Sequence, residues 1–225
     1  MSDARAGILE NSPDGAERER LYRIALLLAW ITIVYNMAEG LVSVFFGLED
    51  ETLALFGFGV DSFVEVISGI GIWHMVRRIR SRPGENPDAF EQTALRVTGG
   101  AFYLLTGGLA LTAAYNLLTG HRPETTFWGI VVSTISIVTM GLLIRAKVKV
   151  GRGLGSDAIL ADANCTKTCL YLSFVLLAAS AGYELTGIGG LDAVGAAAIA
   201  VFAFREGREA FEKAEGKSCC CSNCH

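Results

Sequence analysis

Charge is scarce in this sequence. Only 19% of its 225 residues are Asp, Glu, Lys or Arg, against 52% hydrophobic residues, and the mean hydropathy is +0.42. That balance excludes an ordinary soluble domain, in which about a quarter of residues are charged. A glycine-rich phosphate loop ending in Gly-Lys-Ser/Thr is also lacking, so nothing in the chain is built to bind and hydrolyse ATP. Uphill work would have to draw on an ion gradient. The opening stretch MSDARAGILENSPDGAERER contains no apolar h-region. No cleaved leader is expected, and residues 1–20 read as a disordered cytoplasmic segment. Outside the apolar runs little chain is left, so one membrane domain over 21–214 and a short tail over 215–225 are expected, with no extramembrane module.

What is abundant is apolar sequence in long runs. Six of them lie near 22–47, 52–77, 94–118, 126–147, 156–184 and 188–208. A run of about 20 apolar residues crosses a hydrocarbon core of about 30 Å as a helix. The predicted fold class is therefore all-α, a polytopic membrane protein with six transmembrane helices. The charges between the runs sort by side. ERERLYR, VRRIRSRPGENP, RAKVKVGRG and FREGREAFEKAEGKS all fall on one side of a six-span arrangement, while GLEDET, TGHRPETT and TGIGG fall on the other. Basic loops stay inside, which places both termini in the cytoplasm. The expected location is a prokaryotic inner (plasma) membrane.

Ionisable residues inside such runs are costly and point to function. Asp61 and Glu65 in GVDSFVEVIS stand four residues apart, which puts two carboxylates on one helix face. Two carboxylates stacked in low dielectric repel each other unless a cation or a proton intervenes. Cys165 and Cys169 in ADANCTKTCLYLS repeat the spacing with sulfur, and Asp162 lies three residues before Cys165. Four ligands from two facing helices suit a tetrahedral soft or borderline divalent ion such as zinc or cadmium. Binding would remove protons from both thiols and so couple metal to proton occupancy.

Plainer roles compete with this one. A cysteine in a membrane helix is often a small apolar packing residue. A redox dithiol is a rival role for the two thiols, but Cβ atoms four residues apart on a helix lie about 6 Å apart, against the roughly 4 Å that a disulfide needs. Lys167 points away from the Cys165/Cys169 face; pairing with Asp162, pairing with Glu39 and snorkelling to the interface are all open to it. Asn36 and Glu39 either line the same cavity, pair with Lys167 or hydrogen-bond between helices. His74, beside Arg77 and Arg78, reads as an interfacial residue, and His121 reads as a solvated loop residue.

The chain ends CCCSNCH. Cys221, Cys224 and His225 match the spacing of c-type haem attachment, but on the cytoplasmic side that chemistry does not occur and disulfides are not maintained. Cys219, Cys220, Cys221, Cys224 and His225 are instead an accessory soft-metal clamp, or a tail without a role.

These residues resemble a known family. LALFGFGVDSFVEVIS is similar to helix 2 of the cation diffusion facilitators, which carries Asp-x3-Asp, and GSDAILADANCTKTCLYLS is similar to their helix 5, with its His-x3-Asp or Asp-x3-Asp pair. GIGGLDAVGAAAIAVFAF resembles helix 6 with its early acid, here Asp192. The resemblance implies a metal/proton antiporter, not an enzyme, acting as a homodimer without a prosthetic group. It puts Asp61, Glu65, Cys165 and Cys169 on the ligand positions. Two thiols on helix 5 depart from the family pattern and imply a softer cargo, and the family's usual cytoplasmic C-terminal domain has no counterpart here. The expected partners are a metal ion, protons and the bilayer, with no nucleic acid. The alternative reading is a membrane metal sensor or chaperone working through the Cys-rich tail.

Overall fold

The computed structural model describes residues 15–81, 89–120, 122–188 and 190–215. Those residues form six helices: α1 (Gly15–Glu49), α2 (Leu53–Ser81), α3 (Ala89–Thr119), α4 (Phe127–Leu154), α5 (Asp157–Thr186) and α6 (Gly190–Ala214). Among the described residues there is no strand. A chain in lipid must satisfy its backbone internally, and helices do so within each segment. The helix α1 begins at Gly15, inside the polar opening stretch, and residues 1–14 lie outside the described part.

Five helices, α1 to α5, are long and apolar enough to cross a membrane. The sixth has Arg205, Glu206, Arg208 and Glu209 in its C-terminal half, which dilutes its hydropathy. It nevertheless runs antiparallel to α3 along that helix's whole apolar length. Gly190 lies beside Leu117 at one end, Thr106 Oγ1 donates to the Ala200 carbonyl at 3.3 Å midway, and Gly99 faces Phe211 at the other end. The protein is an integral membrane bundle whose two described ends leave from the same face.

The exterior is apolar and the interior partly polar, the reverse of a soluble domain. Leu104 is 80% exposed, Leu111 76% and Leu118 88%, and α1 presents Leu27, Val34, Leu41 and Phe45 outward. Such a coat belongs against acyl chains. Inside, Phe58, Leu55, Leu172, Leu176 and Ile199 fill one half of the bundle, while Leu28, Met140, Val150 and Leu154 fill the half near the basic end. Small residues bring backbones close where lipid gives no hydrophobic drive for association. Between α1 and α2, a Cβ at Gly59 would lie 2.7 Å from Ser43 Cβ, and one at Gly47 would lie 2.6 Å from the Phe56 nitrogen.

The α4–α5 hairpin differs from the sequence expectation. RAKVKVGRG reads as a basic connecting loop, but α4 continues through it to Leu154 and the connection is Gly155–Ser156 alone. Gly155 adopts φ 60°, and the Ser156 amide donates to the Gly151 carbonyl at 3.0 Å, so the chain reverses within two residues. The tight reversal fixes an antiparallel register in which Lys147 meets Asp162, Ser136 meets Ser173 and Gly129 meets Ser180.

At the opposite end, helix starts are capped by acids from other helices. Asp192 of α6 accepts from the amides of Leu53 at 2.9 Å and Ala54 at 3.2 Å, at the first turn of α2. Glu184 of α5 accepts from the Thr126 amide at 2.6 Å, at the start of α4. Both carboxylates satisfy orphan donors and sit at the positive end of a helix dipole. The resemblance singled out Asp192, and the structure shows it capping α2.

Candidate functional site

The polar interior centres on α2 and α5. Asp61 lies eight residues into α2 and is 4% exposed, and Glu65 follows one turn later on the same face. Opposite them, Cys169 lies twelve residues into α5 and is 3% exposed. Its thiol donates to Glu65 Oε1 across the interface between the two helices. The two i,i+4 pairs read from the sequence thus belong to facing helices, and one member of each pair touches the other. The backbone of Cys165 is part of α5, but its side chain lies outside the described residues.

The second Glu65 oxygen is held from α1. Asn36 Nδ2 donates to Glu65 Oε2 at 2.9 Å, and Asn36 Oδ1 is buried with no hydrogen-bond partner among the described residues. An amide acceptor therefore stands open beside the carboxylate. One turn along α1, Glu39 accepts from Tyr35 Oη at 2.8 Å and from Ser62 Oγ of α2 at 3.1 Å. Of the three roles open to Asn36 and Glu39, both residues bond across to α2, and Asn36 does so at the candidate site itself. On α4, Ser136 meets Ser173 of α5 at 2.9 Å, one turn beyond Cys169. The site is thus enclosed by α1, α2, α4 and α5. Among the described residues, no three His, Cys, Asp or Glu side chains are gathered closely enough to hold an ion together.

Lys147 is the functional-looking residue that the sequence reading missed. It is only 1% exposed, and its Nζ pairs with Asp162 Oδ2 at 2.9 Å and donates to Thr166 Oγ1 at 2.9 Å. Asp162 is therefore partnered by Lys147, not by Lys167, and Lys167 is exposed on the outside of α5. The signal was available: Gly155 marks a reversal, and counting outward from it on both helices sets Lys147 opposite Asp162. His74 is half-buried near the basic end of α2. His121 and the tail residues Cys219, Cys220, Cys221, Cys224 and His225 lie outside the described residues.

Ionisable and thiol side chains buried midway across a bundle with an apolar coat mark a functional site within a membrane protein. The model of the cation efflux transmembrane domain matches residues 25–214, nearly the whole bundle, and the chain belongs to that family. It is a transporter that moves metal cations across a membrane.

Proposed function

We propose that the protein exports a soft or borderline divalent metal, of the zinc or cadmium type, from the cytoplasm in exchange for protons. Asp61, Glu65, Cys165 and Cys169 bind the cargo. The observation that carries this reading is the Cys169–Glu65 contact, which sets a thiol and a carboxylate from different helices at one buried point. The donor set fits such an ion. Thiolate sulfur selects soft and borderline metals, carboxylate oxygen neutralises their charge, and the unpartnered Asn36 Oδ1 is a further acceptor within the same pocket.

Proton coupling follows from the same atoms. The Cys169 thiol must lose its proton before sulfur can bind metal, and the carboxylates carry protons when the metal leaves. Metal entering from the cytoplasm displaces those protons inward, and protons from the far side displace the metal outward as the bundle alternates between the two faces. The basic end faces the cytoplasm by the charge rule, in a prokaryotic inner membrane. The working unit is a homodimer, consistent with the family and with the broad apolar face of α3.

The test is metal flux into proteoliposomes under an imposed pH gradient. Zinc, cadmium and mercury are compared on the native protein, Asp61→Ala and the Cys165→Ser/Cys169→Ser double variant. Gradient-driven flux that both variants lose supports the reading. Native flux that both variants retain overturns it.

A further inference from the structure

A buried lysine inside a membrane bundle needs a reason. Two charges removed from water cost several kcal/mol each, and an apolar pair of similar volume holds two helices together at least as well. Lys147 and Asp162 are nonetheless paired at 2.9 Å with the lysine almost wholly enclosed. Their position suggests what the pair does. Asp162 precedes Cys169 by seven residues, two helical turns, so it lies on nearly the same face of α5, about 10 Å toward the basic end. It also lies three residues before Cys165. A cation moving along this face from the basic end would meet the Asp162 carboxylate before the thiols. Left unpaired, that carboxylate is a hard oxygen ligand within one helical turn of Cys165 in sequence. Lys147 occupies it, while Thr166 supplies a second anchor that fixes the ammonium in place at 2.9 Å.

We propose that Lys147 is a specificity-determining residue: by occupying Asp162 it withholds an oxygen ligand and keeps the cargo site soft. This rests on reading Glu65 and Cys169 as cargo ligands. Lys147 touches no cargo in this account and acts through Asp162. A lysine suits the task because its compact ammonium can be fully matched by one carboxylate and one hydroxyl.

The experiment measures cadmium and manganese(II) flux in competition, with the full-length protein in proteoliposomes under a fixed pH gradient. Lys147→Met and Lys147→Gln, each of which removes the ammonium that neutralises Asp162, are expected to lower the cadmium-to-manganese ratio by about tenfold, because oxygen ligands favour the harder ion. Lys147→Arg keeps the ratio. Lys147→Met/Asp162→Asn restores it, since no carboxylate is released. A structural role alone predicts that all variants lose flux together with the ratio unchanged, and that result overturns the proposal. If Lys147→Met does not fold, the Gln variant decides in the same way. Cadmium flux that survives Glu65→Gln would remove the reading beneath the proposal. An unchanged ratio together with Glu65-dependent flux removes the proposal alone.

Discussion

The thiol of Cys169 on α5 donates to the carboxylate of Glu65 on α2, and the other oxygen of that carboxylate is held by Asn36 of α1. Three helices thereby converge on one acidic side chain. Replacing Cys169 by Ser keeps a small donor but removes sulfur. The half-saturating cadmium concentration for transport is expected to rise by about tenfold or more, with a much smaller change for manganese. Concentration-dependent flux in proteoliposomes measures both. Equal weakening for the two ions would mean that sulfur does not set the preference.

Asp192 ties α6 to the first turn of α2 through the amides of Leu53 and Ala54. Removing a helix cap with a favourable dipole costs about 1–2 kcal/mol. Asp192→Ala is expected to lower the midpoint of thermal unfolding in detergent, and Asp192→Asn, which still accepts hydrogen bonds, to lower it less. An unchanged midpoint for Asp192→Ala would show that water caps α2 equally well.

Asp50 sits in the connection between α1 and α2. Burial, with the nearby charges of Glu49, Glu124 and Glu184, holds its carboxyl above the usual range. A raised carboxyl pKa means that the fold prefers the protonated form, so the fold loses stability as pH rises from the ordinary Asp range through the raised value. Asp50→Asn is therefore expected to stabilise the protein at neutral pH, with the difference vanishing in acid. Thermal midpoints of the two proteins across that range decide the matter; a variant less stable at neutral pH would contradict it.

The α1–α2 contact depends on absent side chains. A Cβ at Gly59 would meet Ser43 Cβ at 2.7 Å and the Val44 nitrogen at 2.8 Å, whereas Gly107 on α3 has open space around it. Overpacking costs about 1–3 kcal/mol. Gly59→Ala is expected to lower the thermal midpoint and the yield of monodisperse protein, with Gly107→Ala as the tolerated control. Equal behaviour of the two would mean that α1 and α2 separate at little cost.

Much of this was legible in the sequence because membrane physics is repetitive. Apolar runs give helices, and i,i+4 spacing put Asp61 with Glu65, and Cys165 with Cys169, on shared faces without any tertiary information. The long-range partners were less legible. Lys147 reads as one of several lysines and arginines in a basic stretch, and only the two-residue reversal at Gly155 turns it inward onto Asp162. Lys167 lies between the two candidate thiols in sequence, which leaves pairing with Asp162, pairing with Glu39 and snorkelling all open, and the helical turn carries it to the outside. Asn36 could not be assigned to Glu65 because the rotation of α1 against α2 is set by the packing of Gly40, Gly47 and Gly59. The local pattern names the candidate ligand types, and the packing between helices selects their partners.

The proposed cargo site on α2 and α5 mixes sulfur and oxygen ligands. The most direct measurement is X-ray absorption on the zinc-loaded protein with Cys219, Cys220, Cys221 and Cys224 replaced by Ser, so that only Cys165 and Cys169 can supply sulfur. Two sulfur neighbours at about 2.3 Å with oxygen completing the shell are expected, with loss of the sulfur in the Cys165→Ser/Cys169→Ser background. A shell of oxygen and nitrogen alone, with both thiols intact, would contradict it.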